Sequence, residues 1–186
     1  MIKNNLKFLE IDGERLKVIA LNEEYLDDFH EYSMMSELYE HLEFHPFENI
    51  KETTVYFNNL VKRSDGTNGY YWFIFHKIEK KVIGTIGLTD IDMRKKSAEL
   101  GYGLSPNYFG KGFFSEALKL ILDWIFTNNV FHRLFVKTSA NNHSSIKAVM
   151  KIGFKKEGVL REFYLDEKSN ERWDAVILSI LKSDYN

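Results

Sequence analysis

No cysteine occurs in the 186 residues, which excludes a disulfide framework, a zinc–thiolate site and a cysteine nucleophile. Proline occurs only twice and no low-complexity run is present, so nothing marks an interdomain linker. No apolar run approaches the ~20 residues that a membrane-spanning helix needs, and no charged-then-apolar leader opens the chain. Nor is there an excess of one charge. The formal net charge is −2, so nucleic acid is not expected as a partner. These absences leave a soluble, cytoplasmic protein without a membrane partner as the expectation. With 44% hydrophobic residues the chain can bury one sizeable core, and one domain over residues 1–186 is expected. Aromatic residues make up 15%, enough for some to line a groove rather than fill a core.

One stretch, Glu99–Ala117, organises the rest. Ala98–Leu104 alternates and is aromatic and aliphatic enough for a strand, which Pro106 should end because it cannot donate to a ladder. Gly110-Lys111-Gly112 follows, and then a long apolar segment at helical spacing. Strand, glycine loop and helix start together form an anion site: glycine lets the backbone approach closely, the first helical N–H groups lack partners, and the dipole adds positive charge. A tight strand-to-helix turn is the plain alternative. A nucleoside-triphosphate loop is excluded because no Gly-x-x-x-x-Gly-Lys-Ser/Thr is present, and a dinucleotide fold because there is no third glycine or N-terminal βαβ unit.

Elsewhere, Leu6–Glu10 and Arg15–Ala20 flank Asp12-Gly13 as an N-terminal hairpin. Asn22 is a candidate cap for a helix over Glu23–Met34, and a second helix covers Lys51–Val61. Between them, the segment from Tyr39 to Phe47 mixes aromatics, histidines and acids; it suits either ligand contact or a solvated surface loop. Tyr70–His76, Val82–Asp90 and Ala98–Leu104 read as an antiparallel meander. A helix over Ser115–Asn128 and a strand over Arg133–Thr138 complete one βαβ crossover. A helix over Asn142–Lys151 follows. Strands Phe154–Phe163 and Asp174–Leu181 then close the chain around Asp166–Asn170. The second informative stretch runs from Asn142 to Phe154: Asn142 caps a helix, Gly153 ends it and Phe154 begins a strand. Capping alone accounts for Asn142.

Both stretches resemble the GNAT superfamily of acyl-CoA-dependent N-acetyltransferases. That family's pyrophosphate loop is Arg/Gln-x-x-Gly-x-Gly/Ala after a strand, and here it reads Asn107-Tyr108-Phe109-Gly110-Lys111-Gly112, with Asn107 in place of Arg/Gln. Its later pattern, Asn-x-x-Ser/Ala with Gly-Phe beyond, matches Asn142, Ser145, Gly153 and Phe154. The resemblance extends from about Arg15 to Asp184 and is closest to the subgroup that acetylates ribosomal-protein N-termini. It implies an α/β (α+β mixed-sheet) GNAT-like fold, with an antiparallel meander, a βαβ unit with splayed central strands and a C-terminal strand pair. It also implies acetyl-CoA as cosubstrate without a metal. Contacts to acetyl-CoA would come from Tyr102, Leu104, Phe109, Gly110, Lys111, Gly112, Phe113, Phe114, Ser115, Asn142, Ser145 and Lys151. For Lys111 and Lys151 plain solvent exposure is the commoner outcome. Many relatives carry a tyrosine acid four residues after the Ser/Ala position. Val149 stands there in this chain, which leaves Ser145 as the nearby hydroxyl.

Amide formation needs an amine deprotonated, a carbonyl oxygen stabilised as it gains charge, and a thiolate protonated or solvated. An irregularity around Gly101–Gly103 would free backbone N–H groups for the oxygen. Glu99, in the same strand before the splay, is the candidate base if burial raises its pKa; a solvent-facing strand glutamate is the alternative. The partner is an amine-bearing acceptor: a protein N-terminus, a polyamine, an amino-sugar nucleotide or a small toxic amine. The acidic, aromatic Glu37–Glu48 segment and Asp174 suit a cationic one. A homodimer and a non-catalytic CoA-binding module are open alternatives.

Overall fold

The computed structural model describes residues 9–65, 68–166 and 169–185. Its centre is an eight-stranded mixed sheet ordered β1-β2-β3-β4-β5-β6-β8-β7. β1 (Ile11–Asp12) and β2 (Leu16–Ala20) form the N-terminal hairpin, with Ile11 opposite Val18. Its turn lies one step later than Asp12-Gly13 suggests, closed by the Gly13 N–H donating to Leu16 O at 2.9 Å. Most of the expected first arm, Leu6–Glu10, lies outside the described residues. β3 (Tyr70–His76), β4 (Lys81–Asp92) and β5 (Ser97–Leu104) make the antiparallel meander. β6 (Arg133–Ser139) runs parallel to β5, and β8 (Arg172–Leu181) lies antiparallel between β6 and β7 (Lys155–Leu165). Part of the turn expected between the last two strands, residues 167–168, falls outside the described residues.

Two helices cover each face. α1 (Leu26–Ser33) follows a 3-10 turn, Glu23–Tyr25, that Asn22 caps by accepting the Glu24 N–H. The helix expected from Glu23 therefore begins with a tighter turn. α2 (Ile50–Arg63) is capped by Asn49, whose side chain accepts from the Lys51 and Glu52 N–H groups. Phe29, Tyr32, Phe57 and Leu60 of these helices pack on Phe73 and Val82. On the opposite face α3 (Phe113–Thr127) and α4 (His143–Ile152) cover the larger cluster, which holds Tyr70, Trp72, Ile74, Leu118, Ile121 and Val149. The period-two alternation of β3 sends Tyr70, Trp72 and Ile74 to one core and Phe73 to the other, so a one-residue register slip would invert both. Complete burial of each such side chain stabilises the fold by about 1.5–3 kcal/mol.

The feature that positions the site is where β5 and β6 part. They pair only over Ser97–Glu99 with Arg133–Phe135. Beyond Glu99, β5 stays on β4 as far as Leu104 while β6 stays on β8 as far as Ser139. This corrects the irregularity expected at Gly101–Gly103. The β4–β5 ladder is regular there, its register shift lies between Thr89 and Asp92, and the break is on the β6 side. Backbone groups of β5 from Leu100 to Leu104 thus have no ladder partner toward β6.

Candidate active site

α3 begins at a loop that only glycine accommodates easily. Gly110 and Gly112 have φ of +71° and +80°, a region where other residues are strained. Gly112 is the N-cap, and no side chain caps the helix, so its first N–H groups face outward beside the positive end of the dipole. An added Cβ at Gly110 would meet nothing within 4 Å, and at Gly112 only the Arg15 guanidinium at 3.5 Å. That Arg15 packs against this loop was not legible in the sequence. Its backbone N–H and Nε donate to Glu116 at 2.8 and 2.7 Å, its Nη1 donates to Lys111 O at 3.1 Å, and its guanidinium lies 4.3 Å from the centre of the Phe113 ring. Burial pushes the Glu116 carboxyl upward, but the hydrogen bonds from Arg15 and Leu16 outweigh it and hold the group below its ordinary value. The start of β2 thus fixes the glycine loop from one side.

The structure separates the residues that sequence reading assigned to acetyl-CoA. Phe109, Gly110, Lys111 and Gly112 are exposed around the loop, and Phe114 and Ser115 are half-buried. Lys111 turns its Nζ back to Asn107 O at 2.8 Å. Leu104 and Phe113 are buried in the core, which leaves only their backbone groups to face a ligand. Lys151 is exposed in the last turn of α4, about 13 Å along the axis from Asn142 at 1.5 Å per residue. At the other end of α4, Asn142 Oδ1 accepts from the Ser145 N–H at 3.0 Å and from Ser144 Oγ at 2.9 Å. That uses the carboxamide oxygen and leaves the NH2 without a partner among the described residues. Tyr102 lies against Phe114, ring centres 4.2 Å apart, and its hydroxyl is 2.6 Å from Ser145 Oγ. Burial pushes the Tyr102 phenol up to about 12. Val149 is fully buried, so α4 presents no acid at that position.

A cavity of about 380 Å³ passes through the split between β5 and β6. Because the sheet is open there, residues of both faces line it: Glu99, Gly101 and Gly103 from one, Tyr102 and Ser145 from the other, with Asn142 beside them. Glu99 is paired with Lys137 of β6, Nζ to Oε2 at 2.9 Å. Burial raises the Glu99 pKa, and the Lys137 contact opposes the rise. Tyr164 also lines the cavity. It is carried there by an irregularity in β7, where the register shifts between Leu160 and Tyr164 and Glu162 takes φ +49°. Asp174, expected to suit a cationic acceptor, instead accepts the Glu162 N–H at 2.9 Å and holds this irregularity. Of the acids in Glu37–Glu48, only Glu43 reaches the central cavity, where it accepts the Leu165 N–H at 3.0 Å. Glu40, His41 and His45 line a separate outer cavity of about 660 Å³ with Asp166 and Glu171.

Residues 15–155 match the family model described as an acetyltransferase (GNAT) domain. The chain belongs to the GNAT acetyltransferase family. Curated relatives of this GNAT chain include the uncharacterized N-acetyltransferase p20 of Bacillus licheniformis. The two are 32% identical over 173 residues, covering 92% of this chain and 96% of p20. The spermidine N(1)-acetyltransferase of Vibrio cholerae is 26% identical over 141 residues, covering 75% of this chain and 78% of the relative. Among solved structures, RimL, a ribosomal L7/L12 alpha-N-protein acetyltransferase in complex with coenzyme A, superposes with a TM-score of 0.83. Identity there is 17%, with 93% of this chain and 98% of RimL covered. The mixed sheet with its parted central strands is therefore the GNAT fold.

Proposed function

We propose that the protein transfers an acetyl group from acetyl-CoA to a primary amine by direct attack within a ternary complex. The observation that supports this most is the single cavity through the parted sheet. It joins the side carrying the glycine loop and α4 to the side carrying Glu99 and the aromatic walls. A thioester held along the unpaired edge of β5 has its carbonyl beside free backbone N–H groups and can be reached by an amine from the opposite face.

In this reading the diphosphate of acetyl-CoA lies on Gly110, Gly112 and the first N–H groups of α3, which suits anionic oxygens. The Asn142 carboxamide is left one free donor group for the pantetheine arm. Glu99 accepts the amine's proton directly or through water; burial makes it a better base, and Lys137 keeps it ionised. As the amine nitrogen bonds to the carbonyl carbon, negative charge on the oxygen is met by backbone N–H groups of β5 between Leu100 and Leu104. The C–S bond then breaks and the thiolate takes a proton, with Ser145 as the nearest hydroxyl. Tyr102, whose phenol stays protonated, lies 2.6 Å from Ser145 Oγ; with the phenol as donor, the serine proton is free to point at sulfur. The experiment is thiol release from acetyl-CoA by the purified chain across a panel of amines. Release that depends on an amine supports the reading. CoA binding without any amine-dependent release would make the protein a binding module instead.

A further inference from the structure

The floor of the central cavity on the α1–α2 side is bare backbone at Gly101 and is covered by the Tyr71 ring at Gly87. Tyr71 of β3 lies opposite Gly87 of β4, and Gly87 opposite Gly101 of β5. This row spans about 10 Å at two strand spacings of ~4.8 Å. A Cβ on Gly87 would collide with the Tyr71 ring at 2.5 Å, so that ring lies flat over the strand. A Cβ on Gly101 would meet nothing within 4 Å: the space above it is the cavity. Aromatic rings wall the space, Tyr71 and Tyr164 among them. At one end stands Glu99. At the other, the Arg63 guanidinium lies 5.6 Å from the Tyr71 ring centre.

The charge balance of this trough is not that of a polycation site. Its charged lining consists of Glu43, Glu99, Arg63 and Lys137. Glu99 is already paired with Lys137, and Glu43 is held by the Leu165 N–H. Arg63 has no carboxylate partner among the described residues. The four charges sum to zero: with Glu99 and Lys137 paired, Glu43 and Arg63 remain, and Arg63 is the cation that lies across the row from the candidate base. A second ammonium on the acceptor would meet Arg63; an anionic group would be bound by it. A volume of about 380 Å³ is that of a small-molecule site.

The geometry points to an acceptor that is a primary monoamine with a flat apolar body and an anionic group at its far end. The amine faces Glu99, the body lies over Gly101 against Tyr71, and the anion meets Arg63. This rests on the acetyl-transfer reading of the same cavity and adds the acceptor's class. Arg63 disfavours a second ammonium at the far end, whereas the acidic loop alone suggests a cationic acceptor.

The test compares 4-(2-aminoethyl)benzoate, 2-phenylethylamine and spermidine as acceptors for the full chain with acetyl-CoA. The benzoate should exceed 2-phenylethylamine about tenfold in kcat/KM, as one charge-assisted contact at a partly exposed site allows. Spermidine should be the poorest of the three. Arg63→Gln should bring the two aromatic amines within about twofold of each other. Gly101→Val, tolerated by an extended strand and facing open space, should lower kcat/KM for both more than tenfold. Its CoA affinity and melting temperature should hold. Preference for spermidine, or a benzoate preference that survives Arg63→Gln, overturns the inference and leaves acetyl transfer standing. If none of the three amines releases thiol but another amine of the panel does, this inference falls and acetyl transfer stands; if no amine of the panel does while CoA still binds, both fall.

Discussion

Glu99 is held between two opposing influences. Burial raises its pKa and Lys137 at 2.9 Å lowers it, with burial the larger. A base works in its ionised form, so the rate should climb with pH through this raised value. Glu99→Gln keeps the shape and removes the basicity; kcat should fall by ~10²–10⁴ with CoA affinity unchanged, and the acid limb of the pH–rate profile should disappear. Lys137→Met removes the cation that favours the carboxylate. The sign is then fixed: the acid limb should move to higher pH. A limb that moves down, or a Glu99→Gln enzyme near normal turnover, would assign the proton to another group. The place of Glu99 in a strand that ends at Leu104, before Pro106, was legible, but its neighbours Lys137 and Tyr164 were not. Both reach it through the topology, and no local spacing brings residues 38 or 65 positions away to its side.

At the scale of elements, two fixtures can be tested. The glycine loop needs left-handed backbone at Gly110 and Gly112. Gly112→Val places a branched side chain in that conformation at the start of α3, and calorimetry should show CoA binding weakened at least tenfold, about 1.4 kcal/mol. Unchanged affinity would mean the diphosphate does not lie there. The second fixture joins the last three strands: Arg133 of β6 donates to Glu157 of β7 at 2.7 Å, and Ser179 Oγ of β8 donates to the same carboxylate at 2.6 Å. Those contacts, Arg133 first, bring the Glu157 pKa down from an ordinary 4.5 to about 2. A depressed carboxylate stabilises the fold above its unfolded value and ceases to do so as pH falls through its folded one. The melting temperature should therefore drop between about pH 4.5 and 2, and Glu157→Gln should flatten that part of the curve. Elements were the most legible scale. Tyr70–His76 appears as read, because β-branched and aromatic residues alternate between two cores. The α3 boundary, by contrast, lies two residues before the reading at Ser115. Gly112, and not a polar cap, starts the helix.

Across the whole molecule, the mixed sheet, the crossover and the helix order followed from periodicity and from two glycine-bearing boundaries. The location of the opening did not. A glycine pair at Gly101 and Gly103 suggested a bulge, whereas the β4–β5 ladder is regular there and β6 departs instead. The clamp of Arg15 on Glu116 was equally hidden, because it links residues 101 positions apart. Which side chains of the acidic loop reach the centre was also a tertiary matter: Glu43 does, while Glu40 faces the outer cavity. The claim that depends on all of this is that cosubstrate and amine occupy the parted sheet together. Initial rates of thiol release, with acetyl-CoA and an accepted amine varied against each other, test it most directly. The structure predicts release that requires the amine and double-reciprocal lines that intersect. Parallel lines, or release that proceeds equally without the amine, would contradict it.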